Sequence, residues 1–181
     1  LRLFGQRDLA TFGWYEAPEP AALVRADALL VRLGALEPGS LKTTSLAPRL
    51  ASVPAHPRVA RLLIECARRG VGRDGALVAA LLSERDLVPR GAEARGARPL
   101  PTGPSDVLAR RDLFLASERG SGGVVDRNAA RGVARVRDQY LRIVERLESR
   151  RGAPPDDVET ELQRALLTAY PDRVARRRKK G

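Results

Sequence analysis

The chain has 181 residues and a formal net charge of +11, from 33 lysines and arginines against 22 acidic side chains, and 43% of it is hydrophobic. That apolar share is enough for a packed core and excludes a globally disordered chain, and the length suits one large domain or two small ones. Aromatic residues, at 4%, argue against a large β-sandwich and against the stacking sheets that hold single-stranded bases.

Residues 1–19 read as irregular, punctuated by Gly5, Gly13 and Pro18. Pro20 opens a first helix, because a first-turn proline lacks only an N–H that has no partner there. Leu23, Ala26, Leu30 and Leu33 recur at helical spacing, and Gly34 is the expected stop. Pro38-Gly39 marks a turn, with Leu36 and Leu41 expected to pair across it as a tiny wing or hairpin. A second helix is predicted from Ser45 as N-cap, with Pro48 in its first turn, Leu46, Leu50 and Val53 inward, and Pro54 as its end. Pro57 begins a third helix, with Val59, Leu62, Leu63 and Cys66 inside and Arg58, Arg61, Arg68 and Arg69 mostly outside; Gly70 and Gly72 end it. Asp74 is the expected N-cap of a short apolar helix through Leu77, Val78, Leu81 and Leu82.

Residues 83–104 are rich in proline, glycine and arginine and read as an exposed loop. Ser105 or Asp106 then caps a helix with Val107, Leu108 and Leu115 as inward residues, and the Gly-Ser-Gly-Gly run at 120–123 is a flexible link. A longer helix over about 126–148 carries Val133, Val136, Tyr140, Val144 and Leu147 as one stripe, with Gly132 weakening its start. After Pro154-Pro155, Asp156 and Asp157 cap a last helix with Val158, Leu162, Ala165, Leu166 and Ala169, ending before Pro171. Neither a long alternating strand pattern nor an internal repeat occurs, so the class is mostly α.

Charge is unevenly spread. Residues 1–100 hold 15 basic and 10 acidic groups, residues 101–172 hold 12 of each, and residues 173–181 hold six basic and no acidic groups. The tail is the stronger sign of nucleic-acid binding, since phosphate contact depends on local charge density. No glycine-rich loop followed by Lys and Ser/Thr occurs, so nothing in the chain cradles a triphosphate, and no zinc spacing, nucleophile elbow or Ser/His/Asp arrangement appears. The expectation is no catalytic residue, no metal ligand and no cofactor in this chain. Cys66 reads as a small core residue, and His56, among prolines, as a residue that shapes a turn. Neither a signal peptide nor a membrane-length apolar run is present, and a reducing cytoplasm is expected. The chain contains no methionine and begins with leucine, and is expected to be a piece of a longer polypeptide.

Five strings occur in order: FGWYEAPEPAAL at 12–23, LLVRLGAL at 29–36, SLAPRLASVPAHPRVARLLIECARRGVG at 45–72, VAALLSERD at 78–86 and AYPDRVARRR at 169–178. Together they resemble the region that follows the second RecA-like domain of DEAH-box RNA helicases, the HrpB type in particular. Thr44 falls near the family's helix-entry threonine; Ala47 stands where glycine is usual, two extra residues lie around Ser40–Thr43, and Val53-Pro54-Ala55 replaces Leu-Pro-Leu.

The resemblance implies a winged helix over about 1–52, a helical ratchet-like bundle over about 53–175, and a basic tail or linker at 176–181. It implies a module that packs on RecA-like domains of a parent polypeptide and helps enclose single-stranded RNA, while ATP and Mg belong to a core outside this chain. Trp14 and Tyr15 are expected to pack on a neighbouring domain. Candidate nucleic-acid contacts are Arg58, Arg61 and Arg68 on the third helix and Arg173, Arg176, Arg177, Arg178, Lys179 and Lys180 at the end. Two other readings stand beside this one. A free-standing winged-helix regulator of duplex DNA would read bases with Arg49 and Ser52, and a structural docking module would bind no nucleic acid.

Overall fold

The computed structural model describes residues 1–88, 105–121, 125–147 and 155–174. The tail cations Arg176, Arg177, Arg178, Lys179 and Lys180, most of the expected 83–104 loop and Gly122-Gly123 lie outside these. The described chain is mostly α: α1 (Pro20–Arg32), α2 (Ala47–Ala51), α3 (Pro57–Arg68), α4 (Gly72–Ser83), α5 (Asp106–Glu118), α6 (Arg127–Leu147) and α7 (Val158–Ala169), with short 3-10 turns at Arg2–Phe4 and Pro171–Arg173. It forms two compact units, Leu1–Ile64 with the described residues from Leu166 onward, and Glu65–Ala165.

In the first unit, α1 begins at Pro20 and stops where Gly34 turns left-handed at φ 75°. The Pro38-Gly39 turn closes a hairpin of one antiparallel bridge. Its partners are Leu36 and Thr43 rather than Leu36 and Leu41, because Leu41 takes a left-handed φ of 52° and its N–H reaches back to the Glu37 carbonyl. Thr44 fastens this hairpin to the next helix. Its hydroxyl donates to the Gly34 carbonyl at 2.6 Å and accepts the Leu46 N–H at 3.2 Å. That takes the place of the Ser45 cap, and α2 starts one residue later, at Ala47 with Leu46 as its N-cap, burying Ala47 and Leu50. The His56 ring nitrogen Nδ1 accepts the Arg58 N–H, shaping the turn into α3. Trp14 donates to the Leu9 carbonyl and meets Phe12 edge-to-face, whereas Tyr15 is fully exposed.

In the second unit, α4 packs chiefly on α6 and also on α5. Leu77, Ala80, Leu87, Phe114, Ala129 and Val133 make its core, with Val136 and Tyr140 partly buried beside them. Beside the alanines Ala80 and Ala129, two large side chains here were not expected inside. Leu87, in the supposed loop, is buried, and its carbonyl accepts the Asp126 N–H at 2.9 Å. Phe114 is among the largest fully buried side chains, with the Arg137 guanidinium 5.5 Å over its ring. The caps also shift. Asp74 lies in the first turn of α4 rather than at its N-cap, which is Val71. Asp126 accepts N–H bonds from Asn128 and Ala129, and Asp157, without Asp156, accepts from Thr160.

The second unit's residues of α3 and α4 meet at a glycine. A β-carbon on Gly75 would lie 2.4 Å from the Cys66 β-carbon and 2.5 Å from its sulfur. Carbon atoms pack at about 3.5–4.0 Å, so the two helices touch there only because the side chain is missing. Burial pushes the Cys66 thiol up to about 12, with the Glu65 carboxylate adding to the shift, which fits an inert core residue. In an open helix Gly→Ala gains about 1 kcal/mol. Gly75→Ala is expected to lose about 1–3 kcal/mol instead, through overpacking, and to lower the melting temperature measured by circular dichroism.

Candidate nucleic-acid interface

The expected cations of α3 fall into different surroundings. Arg58 is held by the chain's return to the first unit: its guanidinium donates to both carboxylate oxygens of Asp172, at 2.6 and 2.8 Å, and to the Ala169 carbonyl at 3.1 Å, and it lies 5.3 Å over the Tyr170 ring. A bidentate carboxylate, the carbonyl end of α7 and an aromatic face satisfy a guanidinium fully. The Tyr-Pro-Asp-Arg string is thus a clamp on Arg58. The Arg58 side chain holds the Asp172 carboxyl below the usual carboxylate range. Arg61 is half-buried. Arg173 is exposed, 3.8 Å from Asp172.

In the second unit Glu65 is buried at 4% exposure and accepts from Arg68 at 2.6 Å and from Arg69 at 2.8 Å. Arg69 also donates to Glu161 at 2.7 Å, and Arg164 donates to that same carboxylate. The Arg69 hydrogen bond, foremost, holds Glu161 low in pKa. A buried carboxylate is stable only when paired like this. Arg69 therefore ties α3 to α7 within the unit, while Arg68 is 60% exposed and keeps an open side.

Elsewhere in this unit several carboxylates meet half-buried arginines: Asp86 with Arg110, Glu118 and Asp138 with Arg137, and Asp112 and Asp74 with Arg111; Asp126 meets the exposed Arg85. The outer face of α6 is treated differently. Arg127, Arg131, Arg135, Arg142 and Arg146 are all exposed. At 3.6 residues per turn they fall within an arc of about 100° and extend along about 28 Å of helix. None of the five forms an ion pair among the described residues; Arg131 touches Asn128 at 3.4 Å and Arg146 donates to the Arg142 carbonyl. Two carboxylates, Asp138 and Glu145, share the arc, so it carries five positive against two negative charges. The opposite face buries Ala129, Val133, Ile143 and Val144, which fixes the stripe outward.

A regional charge sum conceals this stripe, because the acids of residues 101–172 lie mostly off that face. The i, i+4 spacing of the arginines is the signal that reveals it. Beside it, α5 and α6 border a cleft of about 460 Å³ lined by Phe114, Glu118, Val125, Arg127, Arg131 and Ala134 among others. Among the described residues no group of three His, Cys, Asp or Glu side chains is placed to hold a metal, and no helix is long and apolar enough to cross a membrane.

No protein-family profile matches the chain. Part of it is similar to two curated proteins. It is 31% identical over 86 residues to the ATP-dependent RNA helicase HrpA of Escherichia coli (strain K12), a match covering 45% of this chain and 7% of that protein. It is likewise 31% identical over 86 residues to the chloroplastic ATP-dependent RNA helicase DEAH11 of Arabidopsis thaliana, covering 46% of this chain and 5% of that one. The chain thus spans a small fraction of the relatives it matches.

The clamp has a pH signature. Asp172 is lowered in the folded chain, so its contribution to stability is present above the unfolded carboxyl value, near 3.8, and is lost as pH falls through the lower folded value. Asp172→Asn is expected to be less stable than the parent at pH 6, and the gap is expected to narrow as pH falls below 3.8. Urea melts followed by Trp14 fluorescence across that range measure this.

Proposed function

We propose that this chain is a helicase-associated module of a DEAH-box RNA helicase, of the HrpB type, which works in the cytoplasm on single-stranded RNA and carries no catalytic residue of its own. Its first part would be a reduced winged helix over about 1–52, with the Leu36–Thr43 bridge as its wing. The ratchet-like bundle would follow over about 53–175. The similarity to two RNA helicases supports the family, and the α6 stripe carries the role in strand binding. Five exposed arginines on one rigid helix neutralise backbone phosphates without reading sequence. Arg68 and Arg173, both exposed, and the tail at 176–180 add positive charge.

ATP and Mg would be held by RecA-like domains elsewhere in the parent. This chain's own residues do not fit them, since it has no glycine-rich phosphate loop. The module packs on that core, and the exposed Tyr15 offers an apolar ring for the contact. A duplex-DNA regulator is less well supported. Its reading helix would be α2, which is five residues long, buries Ala47 and Leu50, and has the Ser52 hydroxyl turned to the Arg49 carbonyl.

Crosslinking with a 4-thiouridine-containing single-stranded RNA, mapped by mass spectrometry, tests the reading. At low salt the RNA is expected to bind and its adducts to fall on peptides of α6 and the neighbouring α5. Adducts confined to residues 1–56, or no binding at all, contradict it.

A further inference from the structure

The cleft between the end of α5 and the start of α6 has a division of chemistry that the stripe alone does not explain. Arg127 and Arg131, the first two arginines of the stripe, line it, and neither is tied to a carboxylate among the described residues. Val125, Ala130 and Ala134 give it an apolar side, with Phe114 buried beneath and Ser117 at its edge. Glu118 supplies one acceptor. One of its carboxylate oxygens takes the Arg137 guanidinium at 2.8 Å, the other accepts no hydrogen bond among the described residues, and the side chain is 42% exposed. At about 460 Å³ the cleft lies within the range of about 300–1,000 Å³ typical of small-ligand pockets.

We propose that this cleft takes one nucleobase bearing an exocyclic amino group, cytosine or adenine, from a single strand whose phosphates lie on the α6 stripe. This rests on the strand-binding reading above and adds the subsite. Arg127 and Arg131 hold the phosphates on either side of the inserted nucleotide. The alanine and valine side chains cover the base faces, above the buried Phe114, and the second oxygen of Glu118 accepts the amino group. Carboxylates accept from cytosine N4 in this way, whereas uracil presents a carbonyl oxygen at the same position and is repelled. An unpaired base in a single strand is exposed for such insertion, which a duplex prevents.

Three oligomers of equal length and charge test this with the intact chain: oligocytidylate, oligouridylate and an abasic ribose-phosphate strand. Oligocytidylate is expected to bind about tenfold more tightly than the abasic strand, as burial of a base face against apolar side chains implies, and more tightly than oligouridylate. Ala130→Leu and Ala134→Leu fill the cleft and are expected to bring oligocytidylate to the abasic level while abasic binding stays unchanged. The oligomer comparison is read on the unmodified chain and needs no variant. Equal binding of all three oligomers overturns the subsite and leaves the phosphate-binding stripe standing. Failure of every oligomer to bind removes both.

Discussion

Carboxylates are scarce in this chain, and packing decides where they go. With 22 acids for 33 bases, some cations must stay uncompensated, and burial sets the order of claim. A buried or half-buried arginine without an anion is costly, so the arginines near the core are served first. Glu65 and Glu161 serve Arg69, Glu118 serves Arg137, and Asp172 serves Arg58, while the exposed Arg68 and Arg164 share carboxylates already placed by Arg69. The outer face of α6 lies in water, where an unpaired arginine costs little, and it receives least. The positive stripe is the residue of this allocation, placed outward because the opposite face of α6 fills the core with α4.

The same allocation separates structural from binding cations among residues that look alike in sequence. Arg58 follows a proline at the head of an arginine-bearing helix and resembles a phosphate contact. Its guanidinium instead closes the turn after α7, with Asp172, the Ala169 carbonyl and the Tyr170 ring as partners. Arg131 and Arg142 sit in a stretch whose net charge is zero, and they lie open to solvent. Surface charge at this level is a property of helix faces, not of segments.

Much of the fold could be read locally. Pro20, Gly34, Pro57 and Asp157 act at the helix ends where their backbone chemistry puts them, and the α6 stripe of Val133, Val136, Tyr140 and Val144 faces inward as its period requires. Most of what escaped has no local signal. Leu87 stands alone in a proline- and glycine-rich stretch, without a period to mark it as core. Phe114 lies off the Leu108–Leu115 line of α5 but seven residues after the expected inward Val107, a spacing that does mark its flank. The hairpin register depends on the left-handed turn at Leu41, which leucine rarely adopts. The Arg58–Asp172 clamp joins residues 114 positions apart.

If unpaired arginines on α6 are what hold a strand, their counterions must be released on binding. The direct measurement is the salt dependence of single-stranded RNA affinity for the parent chain and for a variant with Arg127, Arg131, Arg135, Arg142 and Arg146 all changed to Gln. Each phosphate contact contributes about −0.7 to the slope of log affinity against log salt on single strands. The account predicts that the variant's slope is shallower by about 2–3.5. Equal slopes, with both proteins folded, would contradict it.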